Sequence, residues 1–352
     1  MVAERPGGRV TVHPSLKAAW LRLPRPARDT IATVVDRVRG VPILAPPIPP
    51  DVTTRIFFGP VNYAGQATAW ARALERDSSI AARTMVGSEN NGFGYPVDYE
   101  VPWRTMEHSR AWQRGLLEVL RDHYTHVAIE ATVPLLGGLH GRDEGGDLLR
   151  QVDDLRDAGL DVWMIGHGTD VRLPSRHRAL EPWSPFRNDD WIPFDTAESV
   201  VAANIAAIEA IDGPTFVSTP GLLLDLPDAR YVPLTLDSDR WASATEILVN
   251  DRLRIMHAPS NPAIKGTSLI EPVLQRLGEA GVADYVRVQG VPNERLPEFY
   301  SQSDILLDQF FLGDYGVAAC EAMASGRLVV SHVSKQARDV VEATTGLELP
   351  IV

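Results

Sequence analysis

Twice in the last hundred residues a short apolar run gives way to a loop of small residues and then to a helical pattern. One copy is 255–266, IMHAPSNPAIKG, and the other is 305–330, ILLDQFFLGDYGVAACEAMASGRLVV. A chain that repeats strand, loop and helix is constrained to parallel pairing, because each return is made by a crossover helix, and its loops then gather at one edge of the sheet. The first loop carries one lysine, Lys265, followed by Gly266. The second helix carries one carboxylate, Glu321, among Ala319, Cys320, Ala322 and Met323. A cation at one strand end and a carboxylate at a neighbouring one suit a nucleoside diphosphate: the lysine and helix N-terminal amides face phosphate, and the glutamate faces ribose hydroxyls.

The same alternation runs through the earlier part of the chain. Strand-like runs at 54–58, 83–86, 126–130, 161–165 and 215–218 are separated by helical patterns at 64–76, 109–122, 147–158 and 197–210. The pattern restarts near Arg252, with strands at 254–257, 285–288, 305–307 and 328–331. This predicts an α/β protein of two doubly wound, Rossmann-like domains, at 51–235 and 252–352, joined by a connection at 236–251 and facing a central cleft. Ligands then sit at the carboxyl ends of the strands. Ahead of them lies a basic, Pro-rich N-terminal extension, 1–50. Its segment 42–50, PILAPPIPP, cannot be helix or central strand and reads as a linker.

Charge and composition narrow the partners. The chain has 352 residues, is 44% hydrophobic and carries a formal net charge of −12, which argues against general nucleic-acid binding. The single cysteine, Cys320, excludes an intrachain disulfide framework and suits a reducing, cytoplasmic setting. No run of about 18 apolar residues predicts a membrane span, and the N-terminus lacks the apolar core of a secretory signal. Residues 1–40 hold eight basic and three acidic side chains, a local surplus of five positive charges. Two readings fit that surplus: a solvated helical extension, or a weak peripheral contact with the anionic inner face of a membrane.

Lys265-Gly266, followed by the stretch from Gly313 to Ala324, GDYGVAACEAMA, resembles the donor domain of family-4 (group 1) retaining glycosyltransferases with the GT-B fold. The resemblance covers roughly 52–352 and is strongest after Arg254. It implies transfer of a sugar from a nucleoside-diphosphate sugar to an acceptor hydroxyl, with retention of configuration, no metal and no resident cofactor. The acceptor is left open between a sugar, a lipid-linked sugar and a small molecule. It further implies a donor site made by Gly65, Ser260, Asn261, Lys265, Gly266, Tyr315, Gly316, Val317, Ala318 and Glu321. Asn62, His167 and Asp170 fall on the acceptor side, and His167, Lys265 and Glu321 are the catalytic candidates.

Each of these residues has a reading of its own. Lys265 is a mobile point charge for a diphosphate, or an ordinary lysine at a helix start. Glu321 holds ribose, or merely complements a helix dipole. His167, in GHGTD after a strand, positions sugar or acceptor, or caps the strand with Asp170 forming an Asx-type turn. Arg172, Arg176, His177 and Arg178 suit an anionic acceptor or a solvated surface. The turn NNGFGY at 90–95 reads as an acceptor contact. The loop 59–66 is not a Gly-x-Gly-x-x-Gly turn, which argues against a dinucleotide cofactor.

Two departures from the family matter. A second glutamate, eight positions before Glu321, is replaced by Gly313, which removes a side chain that would contact the donor sugar. Asp314 is adjacent but points elsewhere unless the loop is shifted. The family also continues beyond residue 352 with further helices, so the second domain is expected to be truncated or naturally short. These departures motivate two other functional readings: a non-catalytic glycosyltransferase-like binding or scaffold subunit, and a GT-B nucleotide-sugar epimerase or hydrolase.

Overall fold

Among the described residues, eleven short strands form two separate, wholly parallel sheets in a computed structural model of the chain. The structure describes residues 45–352, apart from 89–92, 140–145, 188–190 and 250, together with a few positions between 23 and 34. The basic N-terminal extension therefore lies almost wholly outside the described residues, as do the first three residues of the turn at 90–95.

The first sheet contains β1 (Thr54–Gly59), β2 (Ile80–Gly87), β3 (Tyr99–Val101), β4 (His126–Glu130), β5 (Asp161–Gly166), β6 (Thr215–Val217) and β7 (Arg230–Tyr231), in the order β3-β2-β1-β4-β5-β6-β7. The second contains β8 (Leu253–His257), β9 (Ala283–Arg287), β10 (Ile305–Leu307) and β11 (Leu328–Val330), in the order β11-β10-β8-β9. In each the chain first runs outward and then returns to the other side of its first strand. The order reverses between β1 and β4, and again between β8 and β10, which opens a crevice at the carboxyl ends of those strands. Two doubly wound units facing a cleft constitute the GT-B fold.

Strands covered by helices on both faces carry apolar residues along their buried stretches. Phe57, Val127, Ile129, Met85 and Met164 lie in the core of the first sheet, and Met256, Leu306 and Val329 in that of the second. β3 and β7, three and two residues long, are not among the strands expected from the sequence pattern. Local chemistry sets helix ends. Ser109, expected inside a helix, caps Arg110–His123 instead, its side chain accepting from the Trp112 amide.

The connection between the sheets is pinned to the second one. Asp304 accepts from the amides of Leu248 and Arg254, each at 2.7 Å, and Arg327 donates to the carbonyls of Thr245 and Ser303. The helix Lys335–Thr345 crosses to pack on the Pro220–Leu224 turn of the first unit. Val352 then pairs beside β11, its amide donating to Val329 and its carbonyl accepting from Ser331, both at 3.0 Å. Among the described residues no helix is long and apolar enough to cross a membrane.

Candidate active site

A cavity of about 790 Å³ lies in the crevice, walled by the loops after β1 and β2 on one side and those after β8, β9 and β10 on the other. Its only charged lining side chains, among the described residues, are Lys265 and Glu321.

Lys265 closes the short helix Pro262–Lys265, whose N-cap Asn261 accepts from the Ala263 amide. Gly266 follows with φ 76, a left-handed turn that lets the helix Thr267–Glu279 begin at once. A Cβ on Gly266 would stand 3.1 Å from Phe310, so the backbone passes close against the loop after β10. That loop supplies a partner which sequence reading did not single out. Asp308, almost wholly buried, accepts from the Lys265 ammonium at 2.7 Å with one oxygen and from the Gly316 amide at 2.7 Å with the other. The visible signal was its place immediately after the apolar run 305–307, where a carboxylate ends a buried strand. Lys265 keeps its remaining N–H donors for the cavity, toward which its side chain is 15% exposed.

Gly316 is the N-cap of the helix Val317–Ala324, and Val317 and Ala318 face the cavity from its first turn. One turn further, Glu321 is buried and accepts from the Tyr300 hydroxyl at 2.9 Å. Burial pushes its carboxyl up to about 7, opposed by the Tyr300 hydrogen bond and the charge of Arg240. A carboxyl poised there can both donate to and accept from a hydroxyl pair. Its neighbour Cys320 has its thiol pushed up to about 12, chiefly by burial.

The other expected residues divide by position. Ser260 and Asn62 line the same cavity. The Asn62 amide is committed to Thr68 and to the Pro96 carbonyl. Gly65, at φ 74, lies against the Tyr95 ring and lines a second cavity of about 420 Å³, which shares Glu321 as a wall. Tyr315 is buried, its hydroxyl 2.7 Å from that of Tyr231 across the domain interface. Asn261, Gly266 and Gly316 shape the loops without lining the cavity.

His167 sits beneath the cavity rather than in its wall. Its imidazole stacks on Trp70, meets the edge of Tyr63, and pairs with the fully buried Glu130 at 3.0 Å. Tyr63, which does line the cavity, stands between. Burial works to lower the imidazole pKa, but the hydrogen bond and charge of Glu130 outweigh it and the net shift is upward. Burial likewise raises Glu130, against the pull of His167. The pair therefore holds its proton tightly. Asp170 accepts from the amides of His167 and Gly168 and builds the turn that carries the histidine.

The basic cluster after His167 divides: Arg172 and His177 are buried, whereas Arg176 stays exposed, and each member already has a partner. Arg172 is buried against Asp314 at 2.6 Å, Arg176 pairs with Asp225, His177 bonds Ser184 and the Leu312 carbonyl, and Arg178 covers the Phe194 ring. Asp314 thus points into the domain interface, where it also accepts from Gly221. The geometry at Gly313 explains its identity. Its φ is 65, and a Cβ there would land on the carboxylate of Glu181, which reaches across to pair with His332. Of the turn at 90–95, the described residues Phe93 and Tyr95 line the cavity, and Phe93 accepts from the Asn293 amide at 2.9 Å, beside the loop that follows β9.

No protein-family model and no curated protein matches the chain. Among solved structures it is similar to the catalytic domain of starch synthase IV from Arabidopsis thaliana bound to ADP and acarbose (10% identity, 80% of this chain and 83% of that one, TM-score 0.49). It is also similar to Phytolacca americana UGT2 complexed with UDP-2-fluoro-glucose and pterostilbene (11% identity, 84% of each, TM-score 0.46), and to S. aureus MnaA with UDP (11% identity, 85% and 83%, TM-score 0.44). At such scores these likenesses add nothing to what the two sheets themselves show.

Proposed function

We propose that the chain is a glycosyltransferase that moves a sugar from a nucleoside-diphosphate sugar to an acceptor hydroxyl, with retention of configuration. The observation that carries this reading is the row of groups along the second sheet's edge of the cavity: Lys265, the first-turn residues Val317 and Ala318, and the buried carboxyl of Glu321. In that row the Lys265 ammonium and the helix N-terminal amides face the diphosphate, and Glu321 takes ribose hydroxyls in place of solvent.

The chemistry asked of these residues is electrostatic. As the glycosidic bond to the diphosphate lengthens, negative charge grows on the leaving phosphate. Lys265, already held in place by Asp308, meets that charge without reorganising. Closure of the two domains over the donor then excludes water from the reacting carbon. Leaving group and acceptor react on one face of the sugar, the leaving phosphate receiving the acceptor's proton. His167 and its partner Glu130 support that face from below, behind Tyr63. The scheme calls on no resident cofactor or metal, and a cytoplasmic setting supplies the donor.

Calorimetric titration with UDP, GDP and ADP tests the donor site. One of the three should bind selectively, and Lys265→Ala should weaken it at least about tenfold, the scale of a lost charge-assisted contact. Binding, or later sugar transfer, that survives Lys265→Ala within a few fold removes the phosphate assignment.

A further inference from the structure

The first domain reaches over to the second at one place inside the cavity. The residues concerned, Phe93 and Tyr95, come from the loop between β2 and β3. Phe93 accepts from the Asn293 backbone amide at 2.9 Å, so the two loops are joined by main chain across the cleft. Tyr95 braces the join. Its hydroxyl is hydrogen-bonded to the Asn293 side chain. Its ring fills the space in front of Gly65, where a Cβ would stand 2.8 Å away. The two rings lie 6.3 Å apart, and Phe93 remains 46% exposed.

A phenyl ring fixed in a cavity with almost half its surface uncovered invites a flat apolar partner. The opposite wall is apolar as well, made by Val288, Val291 and Leu296, with the exposed amide of Gln289 beside them. The slot lies beyond β9, at the edge of the second sheet. Glu321 stands on the slot side, bonded to Tyr300 of the helix that follows β9 and close enough for its charge to act on Tyr95, whereas Lys265 is tied through Asp308 to Gly316 at the start of the Val317–Ala324 helix. Ring slot, carboxyl, amides and ammonium follow one another as base, ribose and diphosphate do in a nucleotide.

Resting on the donor reading above, we propose that Phe93 is a specificity-determining residue that closes over the nucleobase from the first domain, stacking it against the Val288–Val291–Leu296 wall. Base recognition is then shared between domains, and a nucleotide binds fully only when the Phe93–Asn293 join is made. The Gln289 amide reads the edge of the stacked ring.

The test is calorimetric titration of the full chain with UDP, GDP, ADP and inorganic pyrophosphate, in the wild type and in Phe93→Ala, Phe93→Tyr and Lys265→Ala. Phe93→Ala should weaken the preferred nucleoside diphosphate at least about fivefold, on the scale of a lost base–aromatic stack, and leave pyrophosphate unchanged. Phe93→Tyr, which keeps the ring face, should restore the affinity. If Lys265→Ala weakens the nucleotide and Phe93→Ala does not, the donor site stands and the stack is wrong. If Phe93→Ala weakens pyrophosphate equally, the loop only holds the domains together, and the stack is again wrong. If no nucleoside diphosphate binds the wild type, the donor reading fails and the stack fails with it.

Discussion

Asp308 and Asp314 stand six residues apart on the loop after β10, and each is built into the same kind of lock: a buried carboxylate, a cation on one oxygen and a backbone amide on the other. For Asp308 the partners are Lys265 at 2.7 Å and Gly316 at 2.7 Å, both from the second domain. For Asp314 they are Arg172 at 2.6 Å and Gly221 at 3.0 Å, both from the first. The difference is what lies behind the cation. Lys265 opens on the cavity, whereas Arg172 is sealed, with only 5% of its side chain exposed. One lock can share its cation with an incoming phosphate. The other can only hold the two domains and the loop together.

The sealed lock should carry the larger stability effect. Arg172→Ala leaves Asp314 buried without its counter-charge and should lower unfolding free energy by about 3–5 kcal/mol, read by urea denaturation. Lys265→Ala should do less, about 1–3 kcal/mol, because cavity water can reach Asp308. Equal losses would erase the distinction between the two locks.

Glu321 sharpens the cavity side. Its folded pKa is raised from the ordinary 4.5 to about 7, so the folded protein binds the proton more tightly than the unfolded chain. Stability should therefore fall as pH rises from about 4.5 to about 7 and level off above, a loss of no more than about 3 kcal/mol. Denaturation at pH 5 and pH 8 measures it, and Glu321→Gln should flatten the slope. A slope of opposite sign would mean that Glu321 is stabilised as the anion, with Arg240 and Lys265 outweighing burial.

On the interface side, Gly313→Ala forces a side chain into a left-handed position and toward Glu181, and should cost about 1–3 kcal/mol. A neutral effect would show that the loop is free to move. The smallest effect belongs to the partly buried pair that Glu181 makes with His332. His332→Ala should change stability by less than about 1 kcal/mol at neutral pH, and a larger loss in thermal unfolding would make this pair a main fastening of the interface.

The two parallel sheets were legible because buried parallel strands announce themselves as apolar runs, and because Lys265 and Glu321 are lone charges in small-residue settings. What stayed hidden was pairing. Nothing local in the sequence says that Asp308 meets Lys265, 43 residues earlier, or that Asp314 meets Arg172, 142 residues earlier. Those contacts exist only once the strands are ordered. His167 shows the same limit: a strand-end histidine between glycines looks open, but Tyr63 and Trp70, from the first loop and helix, pack against it. Phe93 and Tyr95 gave no sign of which domain they would touch.

Cys320 sits one residue before Glu321 with its thiol pushed up to about 12, and the chain has no other cysteine. At neutral pH the unreactive thiol prevails over the thiolate. An alkylating reagent should therefore label the native protein very slowly and a protein with the Val317–Ala324 helix disturbed much faster. The protein thus comes with a single, silent chemical reporter in the helix that borders its cleft, whose labelling rate counts how often that helix lets go.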